Sequence, residues 1–361
     1  MNAIVDLDIP AATDGEIAAI NLASACRRAW ARFAQDPRRS GVAEEILDKE
    51  QLSAQFLGDL DAFDRMEALA LQFARVENSP RAALVQARVA GAVHRFGDAA
   101  RHLARAAKLG APREAIERQR LTIAQARGES LETVLDARRR IAAASGRLED
   151  QVPLGAVLVD LGRFAEADAV YRQAFHAYRD ISPFAPAWVS FQLGMLWGEL
   201  VPEPDPDLAA FWYRRALGYL PTYVKARVHL AEIYASREQV GAALALLQPA
   251  LSSSDPEVRW RLADMLLAQG RLDESRAQLD AARQGFDALL KKHLLAFADH
   301  AAEFYADSGN DLKRALRLAC VNVANRPTRR SIRLAHAIAA QQASRGTESE
   351  STAIVFPGAT R

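Results

Sequence analysis

The sequence has few of the features that mark secreted, membrane or zinc-binding proteins. Its two cysteines, Cys26 and Cys320, are 294 residues apart and form neither a disulfide framework nor a Cys-based zinc motif. No purely apolar run exceeds six residues, as in Ala242–Leu247, and a bilayer span needs ~20. The first 20 residues carry four acidic and no basic side chains, whereas a secretory signal starts with a basic segment. We therefore expect a soluble cytoplasmic protein without membrane contact.

Acidic and basic residues are unevenly distributed along a chain whose formal net charge is only +1. Residues 1–70 hold 7 basic and 13 acidic side chains, and residues 81–147 hold 14 basic and 6 acidic ones. Residues 312–346 hold 8 basic and no acidic side chains. We interpret both basic zones as solvated helix exteriors. Because no aromatic residues are interleaved with the arginines, we do not expect nucleic acid as a partner, although contact with it stays open as an alternative.

The residues that are abundant favour helices. Ala, Leu, Arg and Glu dominate a sequence that is 50% hydrophobic and 25% charged, which excludes global disorder. Gly, Pro, Asp and Ser interrupt the chain so often that each helix is only about 12–17 residues long, and helices of this length are marginal unless they stack on neighbours. The sequence therefore predicts an all-α chain of stacked helix pairs.

The stacked pairs are related by an internal repeat, which is clearest between residues 148 and 282. Large and small residues recur there in a fixed order along each helix pair. Three matches recur at a spacing of 32 residues, namely Leu230 with Leu262, Tyr234 with Leu266, and Ala243 with Ser275.

This order resembles the tetratricopeptide repeat, whose signature is W-x2-L-G-x2-Y, then A-x3-F, then P. In the clearest copy, Leu193-Gly194, Trp197, Ala209, Tyr213 and Pro221 follow that order, and an insertion with three prolines lies at 201–207. Small residues at the Leu-Gly and Ala positions allow two antiparallel helices to approach closely. The resemblance implies an all-α, right-handed superhelical solenoid of antiparallel helix pairs.

The same resemblance suggests how the chain divides. We expect an N-terminal extension with one helix at 1–41 and a solenoid at 42–344, whose last helix, 328–343, serves as a cap. Repeat arrays need such a cap with a polar outer face. Residues 345–361 are rich in Ser, Thr, Glu and Gly and are expected to be a disordered tail.

No motif in the chain indicates catalysis. A nucleophile elbow and a Gly-rich phosphate loop are both absent from the sequence, so we expect no enzymatic activity and no cofactor. The alternative is a metal-dependent protein or enzyme that uses two H-x-x-E pairs, His229/Glu232 and His300/Glu303. A spacing of three places both side chains of a pair on one helix face, where they could share a metal ion.

The resemblance also implies which residues line the inner wall of the solenoid, where members of this family bind partners. This wall would be apolar with an acidic edge, and the same aromatic residues also fit the core between repeats. Its candidate partner-binding residues are Trp188, Phe191, Met195, Glu199, Lys225, Glu232, Trp260 and Asp264.

We therefore expect a non-catalytic scaffold or adaptor that binds a protein or peptide in its concave groove. Family members that grip a C-terminal carboxylate use Lys and Asn on this wall, and the matching positions here hold Phe191, Met195, Val228 and Glu232. A ligand with apolar and basic residues suits this wall better. The sequence does not indicate the partner, the pathway or the oligomeric state.

Overall fold

A computed structural model describes the backbone of residues 10–352 and the side chains up to residue 345. Over these residues the chain is helical, with no strand. It forms two compact units, the first ending at Gly285 and the second beginning at Phe286. The predicted all-α, tetratricopeptide-like architecture is confirmed.

The helices follow one another with short turns between them. From the first helix to the fourteenth, consecutive helices pack together, and the last two helices pack against each other. In order, they are α1 (Gly15–Gln35), α2 (Val42–Leu57), α3 (Ala62–Val76), α4 (Pro80–Ala92), α5 (Phe96–Lys108), α6 (Arg113–Ala126), α7 (Leu131–Ser145), α8 (Leu148–Asp160), α9 (Phe164–Ala177), α10 (Phe184–Met195), α11 (Pro206–Tyr219), α12 (Val224–Ser236), α13 (Val240–Leu247), α14 (Pro256–Ala268), α15 (Leu272–Ala306), α16 (Leu312–Asn325) and α17 (Arg329–Thr352).

Helix starts are encoded by capping residues followed by proline. The side chains of Asp205 and Asp255 each accept a hydrogen bond from the backbone N–H two residues later. Pro206 and Pro256 come next, at the first helical position, where a missing N–H costs nothing. These signals fix the starts of α11 and α14, and therefore the register of the two repeats.

Close approach within a helix pair depends on glycine. A Cβ added to Gly194 on α10 would lie 2.4 Å from Cε1 of Tyr213 on α11, and one added to Gly155 would lie 2.2 Å from the same atom of Tyr171. The next two repeats have alanine at the glycine position, at Ala231 and Ala263. Sixteen residues after each of these alanines stands a leucine instead of the tyrosine. The smaller partner leaves room for the extra methyl group.

The acidic N-terminal zone and the first basic zone pair with each other. Glu44 and Asp48 on α2 form ion pairs of 2.8 and 2.6 Å with Arg81 and Arg88 on α4. Glu67 on α3 pairs with the arginine that precedes α5. The uneven charge along the sequence is therefore partly compensated by ion pairs between neighbouring helices.

The first helix is joined to the array through Glu50, a carboxylate on α2 that is only 1% exposed. It accepts hydrogen bonds from the indole of Trp30 at 2.7 Å and the thiol of Cys26 at 3.3 Å, both on α1. The guanidinium of Arg65 on α3 donates to both of its oxygens. Burial raises the pKa of Cys26 to about 12, with Glu50 adding to the effect. One buried anion thus ties three helices together.

The second unit contains the end of α15 together with α16 and α17. The phenyl rings of Phe286 and Phe304 stack with centroids 4.8 Å apart, and Tyr305 and Arg314 both donate to Asp287. Helix α17 continues to Thr352, past position 345, where the sequence places the start of a disordered tail. The rest of that expected tail, 353–361, lies outside the described residues, as do residues 1–9 of the expected extension.

Candidate binding surface on α10, α12 and α14

The predicted partner-binding residues lie on the first helices of three successive pairs. Trp188, Phe191 and Met195 are on α10, and Glu199 is on a five-residue π-helix, Leu196–Leu200, that continues it. A π-turn of this kind is rare and is often found at functional sites. The remaining four residues are on α12 and α14. We call the surface formed by these three helices and the π-helix the wall.

The aromatic and apolar candidates are not equally accessible. Trp260 is 1% exposed and Met195 is 9% exposed, so both belong to the core. Phe191 is half-buried against the rings of Tyr213, Tyr223 and His229, with centroids 5.0–5.7 Å away. Trp188 is also half-buried and packs against the core. Trp260 and Met195 therefore form part of the core between repeats. Of these four residues, Trp188 and Phe191 are the ones that remain partly accessible.

The imidazole of His229 lies between two carboxylates of the wall. Its Nδ1 is 2.8 Å from Glu199 on the π-helix and 3.3 Å from Glu232 on its own helix. The ring also stacks on Tyr213 with an interplanar angle of 15°. Burial lowers the pKa of His229, but the two carboxylates outweigh this and raise it to about 10. His229 is therefore a cation at neutral pH.

The guanidinium of Arg261 occupies the equivalent position one repeat later. It lies 2.5 Å from Glu232 and 3.7 Å from Asp264, and it stacks over the ring of Trp260 at 3.6 Å. The three predicted carboxylates and two cations thus alternate along the wall in the order Glu199, His229, Glu232, Arg261 and Asp264. The acidic edge predicted from the sequence is in large part compensated within the chain.

Lys225, which was predicted to contact a partner, forms ion pairs with two carboxylates of its own chain. Its ammonium lies 3.2 Å from Asp255 and forms a second ion pair with Glu257. Both carboxylates are at the start of α14, and both are buried. Burial alone lowers the pKa of Lys225, and the two carboxylates raise it well above its usual range. The lysine therefore connects α12 to α14.

The positions that the repeat pattern assigned to the inner wall lie on α10, its π-helical continuation, α12 and α14, but they are not all accessible. Val228 and Trp260, at the positions the repeat pattern assigned to the wall, are buried, whereas the following residues, His229 and Arg261, reach it. Residues adjacent along a helix are separated by about 100°, so a shift of one position exchanges the core for the surface. The 32-residue interval between His229 and Arg261 is the signal that could have found both.

The two H-x-x-E pairs belong to different compact units. His229 already lies between Glu199 and Glu232, and in the second unit Glu303 lies 3.4 Å from Arg330. Within the residues that the structure describes, no group of three or more His, Cys, Asp and Glu side chains is arranged to hold a metal ion. Among the described helices, none combines the length and apolar character needed to cross a membrane.

Comparisons with known proteins show the fold and nothing finer. No family model matches the sequence, and no curated protein is significantly similar to it. A crystal structure of the APC/C heterotetramer Cut9-Hcn1 has a TM-score of 0.51 and 14% identity over 78% of this chain, which spans 54% of that one. Human IFIT1, as a dimer with m7Gppp-AAAA, has a TM-score of 0.49 and 15% identity over 87% of this chain and 77% of its own.

A third structure, YrrB, is described as a TPR protein with an unusual peptide-binding site. It has a TM-score of 0.32 and 20% identity over 56% of this chain and 98% of its own. At such identities the similarity concerns the fold alone. The Cut9-Hcn1 similarity, with the repeat register, shows that this chain has the tetratricopeptide-repeat fold.

Proposed function

We propose that the protein is a non-catalytic scaffold whose wall binds an extended protein segment carrying basic and apolar residues. The proposal rests on how much of each charged side chain of the wall is exposed. The side chains of Glu199, Glu232 and Asp264 keep 34%, 30% and 35% of their surface exposed, whereas those of His229 and Arg261 keep 14% and 20%. The carboxylates face outward and the cations hold them from beneath.

The spacing of the carboxylates favours a particular ligand. Glu199 and Glu232 lie 2.8 and 3.3 Å from the same nitrogen of His229, so these two carboxylate oxygens are no more than about 6 Å apart. Glu232 and Asp264 likewise contact the same guanidinium. An extended chain advances ~3.3 Å per residue and its alternate side chains point to one face, so every second side chain of such a ligand meets the next carboxylate. We expect Lys or Arg at alternate positions of the ligand.

The half-buried rings of Trp188 and Phe191 supply the apolar part of the site. They lie on α10, at the same end of the wall as Glu199. Aromatic side chains that keep part of their surface exposed are common anchors in interfaces. We expect an apolar side chain of the ligand to follow its basic residues in the direction of α10.

A random 12-residue peptide library displayed on phage tests the proposal directly. Selection on the wild-type protein should enrich peptides with Lys or Arg at alternate positions. Synthetic copies of these peptides should bind Glu232→Gln/Asp264→Asn roughly tenfold more weakly, because each lost carboxylate removes a charge-assisted hydrogen bond. The amides keep the shape of the side chains, so the wall should remain folded.

A matched control separates the wall from general charge. Asp273 and Glu274, at the start of α15, are both strongly exposed, so the variant Asp273→Asn/Glu274→Gln loses the same net charge outside the wall. Equal affinity of the enriched peptides for both double variants would contradict the proposal. A library that enriches no basic spacing would contradict it as well.

A further inference from the structure

Residues near the N terminus contact a distant part of the first unit. In a typical repeat array each repeat touches only its neighbours. Here the backbone N–H and the hydroxyl of Thr13 both donate to the carbonyl of Ile181, at 2.8 and 3.2 Å. The hydroxyl of Tyr219 donates to the carbonyl of Pro10 at 3.0 Å. These residues are 168 and 209 positions apart in the sequence.

A second contact involves the end of α2 and the turn after it. The carbonyl of Gly58 accepts hydrogen bonds from the backbone and the hydroxyl of Ser254, at 3.0 and 3.1 Å. The same hydroxyl accepts one from the backbone of Leu60 at 2.7 Å. The two segments approach closely here, because Gly58 has φ +62° and a Cβ at this position would lie 3.0 Å from that of Ser253.

An apolar contact lies between these two sets of hydrogen bonds. The ring of Phe56 is 2% exposed and packs against Phe184 and Tyr223, with centroids 5.2 and 4.7 Å away. Phe56 therefore belongs to the core of distant repeats as well as to the end of its own helix. We call the contacts of residues 10–15 and 52–60 with the distant repeats the clasp.

The clasp reaches the three helices that form the wall, and it reaches each at the same end. Ile181 and Phe184 stand at the start of α10, Tyr219 and Tyr223 precede α12, and Ser254 precedes α14. Near the middle of α12 and α14, His229 pairs with Glu199 and Arg261 pairs with Glu232. At the N-terminal ends, Lys225 joins α12 to α14, and the clasp adds contacts from residues that lie outside these repeats.

We propose that the clasp sets the spacing of the wall helices and that the wall opens and closes with it. Curvature in a repeat array is the sum of small rotations between neighbours, and a contact that spans many repeats fixes that sum. Residues that no ligand touches, such as Tyr219 and Ser254, then control how well the wall fits a ligand. The link to ligand binding rests on the proposed function, whereas the mechanical coupling does not.

Hydrogen exchange of the free protein tests the coupling without any ligand. The variant Tyr219→Phe/Ser254→Ala removes two hydroxyls of the clasp while keeping the packing. Amides in the turns before α10, α12 and α14 should exchange at least about fivefold faster, the ratio expected from the loss of one neutral hydrogen bond. Amides in α4–α7 should be unchanged.

The control variant Tyr178→Phe/Ser252→Ala also loses one tyrosine hydroxyl and one serine hydroxyl from the same region. Those hydroxyls make only local bonds, to Ser182 and Pro249, so exchange in the turns before α12 and α14 should stay close to wild type. If both variants speed exchange equally in the turns before α12 and α14, the proposed role of the clasp is wrong. A uniform increase that includes α4–α7 would also overturn it, because it would indicate general destabilisation.

A disulfide that locks the contact gives a second test if the double variant folds poorly. In Gly58→Cys/Ser253→Cys, made with Cys320→Ser so that no exposed native thiol competes, the two Cβ atoms stand close enough to be bridged after a small adjustment. The reduced form of the same molecule is the reference, so any strain at position 58 cancels. Oxidation should slow exchange at the start of α12 and α14, and an unchanged rate would contradict the proposal.

Peptides recovered from the display library then report on the link to the wall. Their affinity for Tyr219→Phe/Ser254→Ala should fall severalfold relative to the control variant. If exchange responds but affinity does not, the clasp does not control the wall and the proposed link is wrong, while the proposed function stands. If the library yields no ligand, the proposed function fails and the exchange experiments still decide the coupling.

Discussion

At the scale of single residues, His229 has the most unusual chemistry on the wall. It stacks on one aromatic ring and lies within hydrogen-bonding distance of two carboxylates from different elements. An imidazole held as a cation stabilises the folded state most where the unfolded state carries the proton as well, and this stabilisation falls once the unfolded imidazole loses its proton. The pKa of a free imidazole is about 6.5 and that of His229 is about 10.

The sign of the resulting pH dependence is fixed by these two pKa values. The stabilisation is complete below pH ~6.5, the unfolded value, and it is lost as the pH rises toward the folded value of about 10. We expect the free energy of unfolding of the wild type to fall between pH 6.5 and 9, and that of His229→Gln to fall less. Chemical denaturation at a series of pH values measures both slopes.

Two features of this experiment keep the result specific. The raised pKa of Cys26 removes stability mainly above pH ~8, where an unfolded thiol begins to ionise, so the slope between pH 6.5 and 8 reports on the imidazole. The exposed His336 provides the control His336→Gln, which should keep the wild-type slope. Parallel slopes for all three proteins would mean that His229 is not a cation in the folded state.

At the scale of the helix pair, the contact between α10 and α11 gives the most direct test of the repeat signature. Gly194→Ala places a methyl group 2.4 Å from the ring of Tyr213, and overpacking of this kind costs about 1–3 kcal/mol. Adding Tyr213→Leu recreates the combination found in the next repeat, Ala231 with Leu247. The double variant should therefore be more stable than the sum of the two single effects implies.

Equilibrium unfolding of the four proteins in this cycle measures the coupling, which should reach at least ~0.5 kcal/mol. Gly218→Ala on α11 is the control, because a Cβ there meets nothing within 4 Å. That change should leave stability the same or raise it slightly, since alanine favours a helix over glycine. Strictly additive effects of the first two substitutions would show that the two positions do not depend on each other.

The parts of the structure that the sequence predicted are those that depend on residues within one repeat. The close approach of Gly194 to Tyr213 is of this kind, because it follows from the small and large residues of one repeat. Ion pairs such as Arg261 with Glu232 join neighbouring repeats, and they depend on which of two adjacent positions faces outward. The clasp depends on rotations accumulated over many helices, and no local pattern encodes that sum.

At the scale of the whole molecule, the arrangement of charge argues against binding through phosphate contacts. In the first basic zone, Arg81, Arg88 and Arg118 each pair with a carboxylate on a neighbouring first helix. In the second, Arg314 and Arg330 pair within their own unit. An arginine engaged in this way has to break an existing pair before it can neutralise a phosphate.

We therefore expect no measurable binding of a labelled 20-nucleotide single-stranded RNA or duplex DNA at ~50 mM salt, where phosphate-driven affinity is strongest. Fluorescence anisotropy measures this directly. The variant Glu44→Gln/Asp48→Asn frees Arg81 and Arg88 and serves as a sensitised comparison, which should bind more strongly than the wild type. Wild-type binding that weakens steeply with added salt would contradict this expectation.

The clasp also has a consequence for how the number of repeats in this chain can change. Repeat arrays usually tolerate the gain or loss of a repeat because each contact is between neighbours. One additional helix pair between α3 and α10 would move Ser254 away from Gly58 by about the width of a helix, ~10 Å, and no hydrogen bond survives such a shift. The number of helix pairs between Gly58 and Ser254 is therefore fixed. Helix pairs added or lost after Ser254 would leave this contact intact.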